Sequence, residues 1–203
     1  FISPEQAIQT IQALTAYFRS FDGQLEYHMA LVTGKPVDES GHTLFEEAQK
    51  HLVTLCEIGK AKVAHIDATT LGGTRKNGRL KEASGQEGRI LSPSDLFLYS
   101  KLWDILDVSI AHTGFSSVHL GKELGLSKAQ TYRKIKALTG MSPNEIIREI
   151  RLRRSLNALK KNNKTVAEIA YELGFNSPTY FTRVFRKRYE ILPSEFAKLS
   201  KHQ

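Results

Sequence analysis

The sequence predicts an all-α protein: two helix-turn-helix units joined by a long helix, preceded by a smaller helical N-terminal region. Three observations carry this expectation. The second half contains an internal repeat of about fifty residues. Helix start and stop signals crowd into that half with no alternating strand pattern between them. The net charge of +8 is uneven: residues 1–90 hold 10 Lys+Arg against 11 Asp+Glu, and residues 91–203 hold 19 against 10. A basic excess confined to one half points to a polyanionic partner for that half.

The composition sets outer bounds. With 203 residues, 40% hydrophobic and 25% charged, the chain can bury a core in one or two domains. No run of about 18 apolar residues exists to span a membrane as a helix. A single cysteine, Cys56, excludes an internal disulfide framework and a cysteine-built zinc site. The opening residue is Phe1 rather than Met, as in a processed form or a fragment, so the missing leader proves little.

The elements follow in order. Ser3 and Gln6 form a capping signal around Pro4, a residue suited to the first helical position. Ile8, Ile11, Leu14, Tyr17, Phe18 and Phe21 then recur at helical spacing. A second helix is expected from about Thr43 to Ala61, with Leu44, Ala48, Leu52, Leu55 and Ile58 on one face. Residues 1–66 thus read as a helical region of unassigned role. Residues 67–91 are rich in Gly, Lys and Arg and poor in large apolar side chains. They read as a linker with a short hairpin at Asn77-Gly78, and the second domain is expected from residue 92. After Ser92-Pro93-Ser94-Asp95 a helix carries Leu96, Tyr99, Trp103, Leu106 and Ile110. Six more helical segments follow, punctuated by Ser116/Ser117, Gly125, Ser127, Gly140, Pro143, Thr165, Gly174, Ser177-Pro178 and Pro193.

The repeat is specific. Glu123-Leu124-Gly125 matches Glu172-Leu173-Gly174 at an offset of 49. Asn176 is one extra residue, after which the offset is 50. Ser127 then matches Ser177, Arg133 matches Arg183, Lys136 matches Arg186, Pro143 matches Pro193 and Glu145 matches Glu195. In each unit, about 116–139 and 165–189, a small residue (Gly121; Ala170) precedes the turn glycine by four. The small residue lets two helices approach, and the glycine accepts the positive φ of a sharp turn. Ser127 and Ser177 cap the helices that follow. Between the units, Asn144 to about Leu159 forms a helix on the order of 24 Å long. Such a helix can hold two recognition helices near the 34 Å spacing of successive major-groove faces. Its Arg148, Arg151, Arg153 and Arg154 are candidates for phosphate contact.

Residues from about 95 to 199 resemble the AraC/XylS-type DNA-binding domain. The stretch "IAYELGFNSPTYFTRVFRKRYEILPSEF" carries the likeness in Ala170, Gly174-Phe175, Ser177, Tyr180-Phe181, Arg183, Phe185-Arg186-Lys187, Pro193 and Phe196. The first unit resembles the version found at the ends of hybrid two-component regulators. The resemblance implies seven helices and a bacterial, cytoplasmic transcription regulator without cofactor. It implies double-stranded DNA as partner and leaves room for RNA polymerase and for a homodimer through residues 1–66. The second unit departs from the family pattern at Glu190, where the first keeps Gly140, and at Leu192, against Ser142. If Glu190 must take a positive φ, it costs roughly 1 kcal/mol. Thr131 stands where the family commonly has an apolar residue, as Phe181 does in the second unit.

Helical periodicity assigns the faces. Thr131, Ile135 and Leu138 should point inward in the first recognition helix; Phe181, Val184, Phe185 and the stem of Arg188 should do so in the second. The opposite faces carry the candidate base contacts Arg133, Arg183, Tyr132, Ala129, Thr179 and Thr182. Arginine can read guanine bidentately through O6 and N7. Lys128, Lys136, Ser177, Arg186 and Lys187 are the candidate backbone contacts, which position the protein without reading sequence.

Other classes are weaker. Cys56 with His28, His42, His51 and His65 shows no ligand spacing such as HExxH, and Cys56 lies beside the apolar stripe of its helix, so no enzyme or metal site is expected. Residues 72–78 lack the GxxxxGK[ST] pattern. Their neighbours Arg75, Lys76, Arg79 and Lys81 read as a solvated linker in preference to a minor-groove arm. Residues 1–90 lack the β-barrel pattern, and lack the βα alternation and acidic cluster of a phosphate-accepting receiver. The rival reading of the basic half is an interaction or RNA-binding module without sequence-specific readout of duplex DNA.

Overall fold

The computed structural model describes residues 3–21, 25–34, 45–72, 88–161 and 163–200. The order of elements is α1 (Pro4–Arg19), β1 (Met29–Leu31), α2 (Phe45–Ile58), β2 (Ala64–Asp67), α3 (Ala68–Gly72), β3 (Gly88–Leu91), α4 (Pro93–Ser109), α5 (Ser117–Glu123), α6 (Lys128–Thr139), α7 (Pro143–Lys161), α8 (Val166–Glu172), α9 (Pro178–Tyr189) and α10 (Pro193–Leu199). The protein is mostly helical with a small parallel sheet. The chain divides into two compact units. The first is residues 1–103 with Lys136–Gly140, and the second is 104–135 with 141–203.

In the first unit α1 starts as expected. The Ser3 hydroxyl oxygen accepts the Gln6 N–H at 3.2 Å and Pro4 opens the helix. The all-helical expectation for residues 1–66 is corrected by the sheet. Its strands pair in parallel in the order β1-β2-β3, with Met29 opposite Ala64 and Ala64 opposite Gly88. Helix and strand alternate along the described residues, the pattern the sequence reading did not find. The reason is physical. The strands hold three or four residues each, and β2 is buried along its whole length. Three or four residues are too short a run for a period of two to register, and β2 buries its polar residues His65 and Asp67 as fully as Ala64 and Ile66. Ala64 and Ile66 pack with Ile11 of α1, and Met29 and Leu31 lie against that cluster.

Residues 67–91, expected as a linker, also differ. Asp67 ends β2, 68–72 form α3 and 88–91 form β3. The expected Asn77-Gly78 hairpin and Arg75, Lys76, Arg79 and Lys81 lie outside the described residues. The units part between Trp103 and Asp104, inside α4, rather than at residue 92. The last turn of α6 belongs to the first unit. There the Tyr99 hydroxyl donates to the Leu138 carbonyl and the Arg89 guanidinium to the Ala137 carbonyl. These are C-terminal carbonyls that the helix itself leaves unpaired.

His65 is in the buried β2, with Nε2 3.3 Å from the Tyr99 hydroxyl. Burial, then the Arg89 and His28 charges, lowers its pKa to about 4. In the unfolded chain a histidine titrates near 6.5. Below 6.5 the unfolded chain binds a proton that the folded one refuses. Stability present above that pH is therefore lost as pH falls toward 4. The urea midpoint of the first unit is expected to drop across this window, and to drop less in His65→Gln. Equal slopes in the two proteins would remove histidine from the account.

In the second unit the sequence punctuation acts as read. α5 and α8 close in the same way. The Leu126 N–H donates to the Gly121 carbonyl and the Phe175 N–H to the Ala170 carbonyl, both at 2.9 Å. Gly125 (φ +69°) and Gly174 (φ +82°) donate to the Lys122 and Tyr171 carbonyls at 3.0 Å. This is the Schellman arrangement, and it requires the left-handed residue. The small residue before each turn is needed too: a Cβ at Gly121 would lie 2.6 Å from Thr131 Oγ1. α8 opens on a full capping box, with the Thr165 N–H on Glu168 Oε2 at 2.7 Å and the Glu168 N–H on Thr165 Oγ1 at 3.2 Å. α7 runs from Pro143 to Lys161, 19 residues, three more than the segment expected. It packs on α5, α8 and α10. The core around α8 to α10 gathers Leu152, Leu159, Ile169, Ala170, Phe175, Phe181, Phe185 and Ala197.

The end of α9 keeps its turn in spite of both departures. Glu190 has φ +61° and donates its N–H to the Arg186 carbonyl at 2.8 Å. At Leu192 the hydroxyl cap is missing, but the Leu192 N–H still donates to Glu195 Oε2 at 3.0 Å. The left-handed region costs a residue with a Cβ about 1–2 kcal/mol, and the extra chain entropy of glycine offsets about 0.4–1 kcal/mol. Glu190→Gly is therefore expected to stabilise the second unit by about 0.5–1 kcal/mol. A lower urea midpoint in that variant would contradict the strain.

Candidate nucleic-acid interface

α6 and α9 each bury one face and expose the other. In α6, Thr131, Ile135 and Leu138 are buried, as their spacing predicts. Thr131 satisfies its hydroxyl on the Ser127 carbonyl at 2.9 Å, which lets a polar residue fill an apolar position. Lys128, Ala129, Tyr132, Arg133 and Lys136 are exposed, Tyr132 to 55%. In α9, Phe181 and Phe185 are fully buried and Val184 is half-buried, while Arg188 is exposed and pairs with Glu149 at 3.1 Å. Thr179, Arg183, Arg186 and Lys187 are exposed; Ser177 and Thr182 are half-buried.

Both helices are fixed at their starts. The Ser127 N–H donates to Gln130 Oε1 at 3.0 Å, and the Gln130 N–H returns to Ser127 Oγ at 3.3 Å. Ser177 Oγ accepts the Tyr180 N–H at 3.3 Å, so this candidate backbone contact is also a cap. Beside α9, the residues Thr179, Thr182, Arg183, Arg186 and Lys187 line an open groove of about 850 Å³ with Val166, Ala167, Pro178 and Leu192. The groove thus presents three cations and two hydroxyls and no carboxylate. Such a surface favours an anionic polymer.

Three of the four α7 arginines offered as phosphate contacts have partners within the second unit. Arg151 donates Nε to the Ile110 carbonyl at 2.9 Å and Nη2 to the His112 carbonyl at 3.0 Å. Arg153 pairs with Glu149 at 3.2 Å, and Arg154 pairs with Asp107. Of the three, Arg151 and Arg154 join α7 to the chain at and after the end of α4, and Arg153 pairs along α7 itself. One residue was missed in the sequence: Tyr180, whose ring lies under the Arg183 guanidinium with Cζ 5.3 Å from the ring centroid. An aromatic residue three positions before an exposed arginine on a helix was the available signal.

Among the described residues, His28, His51, His65 and Cys56 do not join any group of three or more possible metal ligands; His42 lies outside them. Cys56 is at the surface, and partial burial with the Glu57 charge pushes its thiol pKa up, the opposite of an activated nucleophile. No described helix is long and apolar enough to cross a membrane.

The second half of the chain is similar to known proteins. The family described as "Helix-turn-helix domain" matches residues 120–199. Histidine kinase P4 of Formosa agariphila is 37% identical over 106 residues, which cover 52% of this chain and 8% of that protein. The HTH-type transcriptional regulator MtrA of Neisseria gonorrhoeae is 36% identical over 73 residues, covering 36% of this chain and 24% of that one. The chain thus spans a quarter or less of the length of these two relatives. A transcriptional regulator from Chromobacterium violaceum, described as containing an AraC-type DNA-binding domain, superposes with a TM-score of 0.48 at 21% identity. That match covers 53% of this chain and 95% of the other. With α5–α6 and α8–α9 built alike, residues 120–199, from within α5 through α10, match the helix-turn-helix family, and the relatives that share this stretch are described as HTH-type transcriptional regulators.

Proposed function

We propose that the chain is a sequence-specific transcription regulator that binds duplex DNA. Its two helix-turn-helix units, joined by α7, insert α6 and α9 into successive major-groove faces. One observation carries this reading. A duplicated turn geometry places Arg133 and Arg183 at matched positions on the exposed faces of two capped helices. A generic basic surface does not require matched positions. Arg133, Arg183, Tyr132, Ala129, Thr179 and Thr182 read base edges. Lys128, Lys136, Ser177, Arg186 and Lys187 grip phosphates. The DNA-binding part is the basic second half, working in the cytoplasm, with RNA polymerase and a second copy paired through residues 1–66 as further partners.

Selection of bound sites from random duplex DNA tests this. Two half-sites about 10 base pairs apart are expected, one for each unit. Binding of single-stranded RNA as tight as duplex DNA, with no enriched site, would replace this reading with the non-specific basic module.

A further inference from the structure

We propose that Tyr180 is a positioning residue for Arg183, and that the two units read DNA with unequal stringency because only the second has such a residue. The proposal rests on the reading of Arg183 as a base contact. The Arg183 Cζ stands 5.3 Å over the Tyr180 ring. That ring is 38% exposed and is anchored below: its centroid is 6.3 Å from Phe175, which is 3% exposed and itself 5.0 Å from Phe181. The Tyr180 N–H is tied to the Ser177 cap. An aromatic stack therefore runs from the core of the second unit to the guanidinium, one helical turn on. A planar guanidinium held on a ring face has lost part of its rotamer freedom before it meets a base, and its fork keeps one orientation.

The first helix-turn-helix is built otherwise. Gln130 occupies the position matched to Tyr180, and its Oε1 is folded back onto the Ser127 N–H. Among the described residues no ring lies under Arg133. Arg133 reaches its base without a preset orientation, so its unit tolerates substitutions in the half-site that the α9 unit rejects.

The test uses the full chain and the selected duplex, together with variants of that duplex changed at one base pair at a time. Tyr180→Ala is expected to reduce discrimination at the base pair read by Arg183 by about two- to fivefold. Other base pairs are expected to keep their discrimination. Tyr180→Leu keeps the apolar contact with Phe175 and removes the ring face; it should lose as much as alanine. Tyr180→Phe should retain the discrimination. In an Arg183→Ala background, Tyr180→Ala should change nothing further at that base pair. Equal loss at every base pair would assign Tyr180 a merely structural role and overturn the proposal. So would a phenylalanine variant as weak as alanine, which would give the hydroxyl its own DNA contact. A neutral Tyr180→Ala beside a base-specific Arg183→Ala defect overturns the positioning role alone. An Arg183→Ala chain with no base-specific defect overturns the reading of Arg183 on which the proposal rests.

Discussion

Arg151→Ala is expected to destabilise the second unit by about 3 kcal/mol, more than any other single substitution considered for this protein. The guanidinium is half-buried and bonds three backbone carbonyls: Ile110 at 2.9 Å, His112 at 3.0 Å and Phe115 at 3.4 Å. These carbonyls belong to the chain between α4 and α5, beyond the regular hydrogen bonds of either helix, and of the three the His112 carbonyl also accepts the Phe115 N–H at 3.0 Å. The same guanidinium lies 5.9 Å from the Phe175 ring centroid. It also closes on the second turn glycine: a Cβ at Gly174 would lie 2.9 Å from Arg151 Nη2 and 2.8 Å from the Ile110 oxygen. One side chain thus ties the end of α4 and α7 to the α8–α9 turn. Removing it takes the guanidinium donor from the Ile110 and Phe115 carbonyls, each worth about 1–3 kcal/mol where water cannot reach. The His112 carbonyl keeps the Phe115 N–H at 3.0 Å and lies in an exposed segment, which keeps the sum near the lower end. Arg151→Lys offers a point charge for a fork and should recover less than half. Urea unfolding measures both, as a fall in midpoint at unchanged slope. A loss below about 1 kcal/mol for alanine would mean that water serves these carbonyls as well as Arg151 does.

Arg151 also shows where a sequence stops being legible. It sits among Arg148, Arg153 and Arg154 with nothing local to single it out. Its partners are backbone atoms 36 to 41 residues upstream, and a backbone carbonyl leaves no side-chain signature. The turns of the second unit were readable for the opposite reason. Gly125 and Gly174 answer a demand of their own φ, and Ser127, Ser177 and Thr165 cap the helices they precede, so the sequence near each element specifies it. The recognition faces follow from a 3.6-residue period over the 12 residues of α6 and of α9. The sheet had no such signal. Its parallel pairing joins Met29 to Ala64 and Ala64 to Gly88, so the evidence for each strand lies far away in the chain. His65 and Asp67 made β2 look polar. They are buried because they find partners: His65 by Tyr99, and Asp67 by the N–H groups of Thr33 and Thr69. Tyr180 was visible as a residue, but its relation to Arg183 depends on a side-chain conformation that no periodicity specifies.

Arg133→Ala and Arg183→Ala are each expected to cost about 1–3 kcal/mol of DNA affinity and to relax specificity at one base pair, in different half-sites. The two positions are matched by the repeat, exposed, and three residues before Lys136 and Arg186, which are exposed on the same helices. An arginine fork that bonds guanine O6 and N7 loses both bonds on truncation, and the neighbouring cations cannot restore the pattern. Lys187→Ala supplies the contrast. It lines the groove beside α9 but carries a point charge, so its removal should weaken binding to all sequences alike and make the dependence of log affinity on log salt shallower by about one unit. The arginine variants should lose base preference at any salt concentration, because hydrogen bonds to a base edge displace few counterions. Affinities across a salt series, measured for each single-base-pair variant, separate the two effects. If both arginine variants keep the wild-type preference at every position, base reading must move to Tyr132, Thr179 and Thr182, and the matched arginines become phosphate contacts like the lysine beside them.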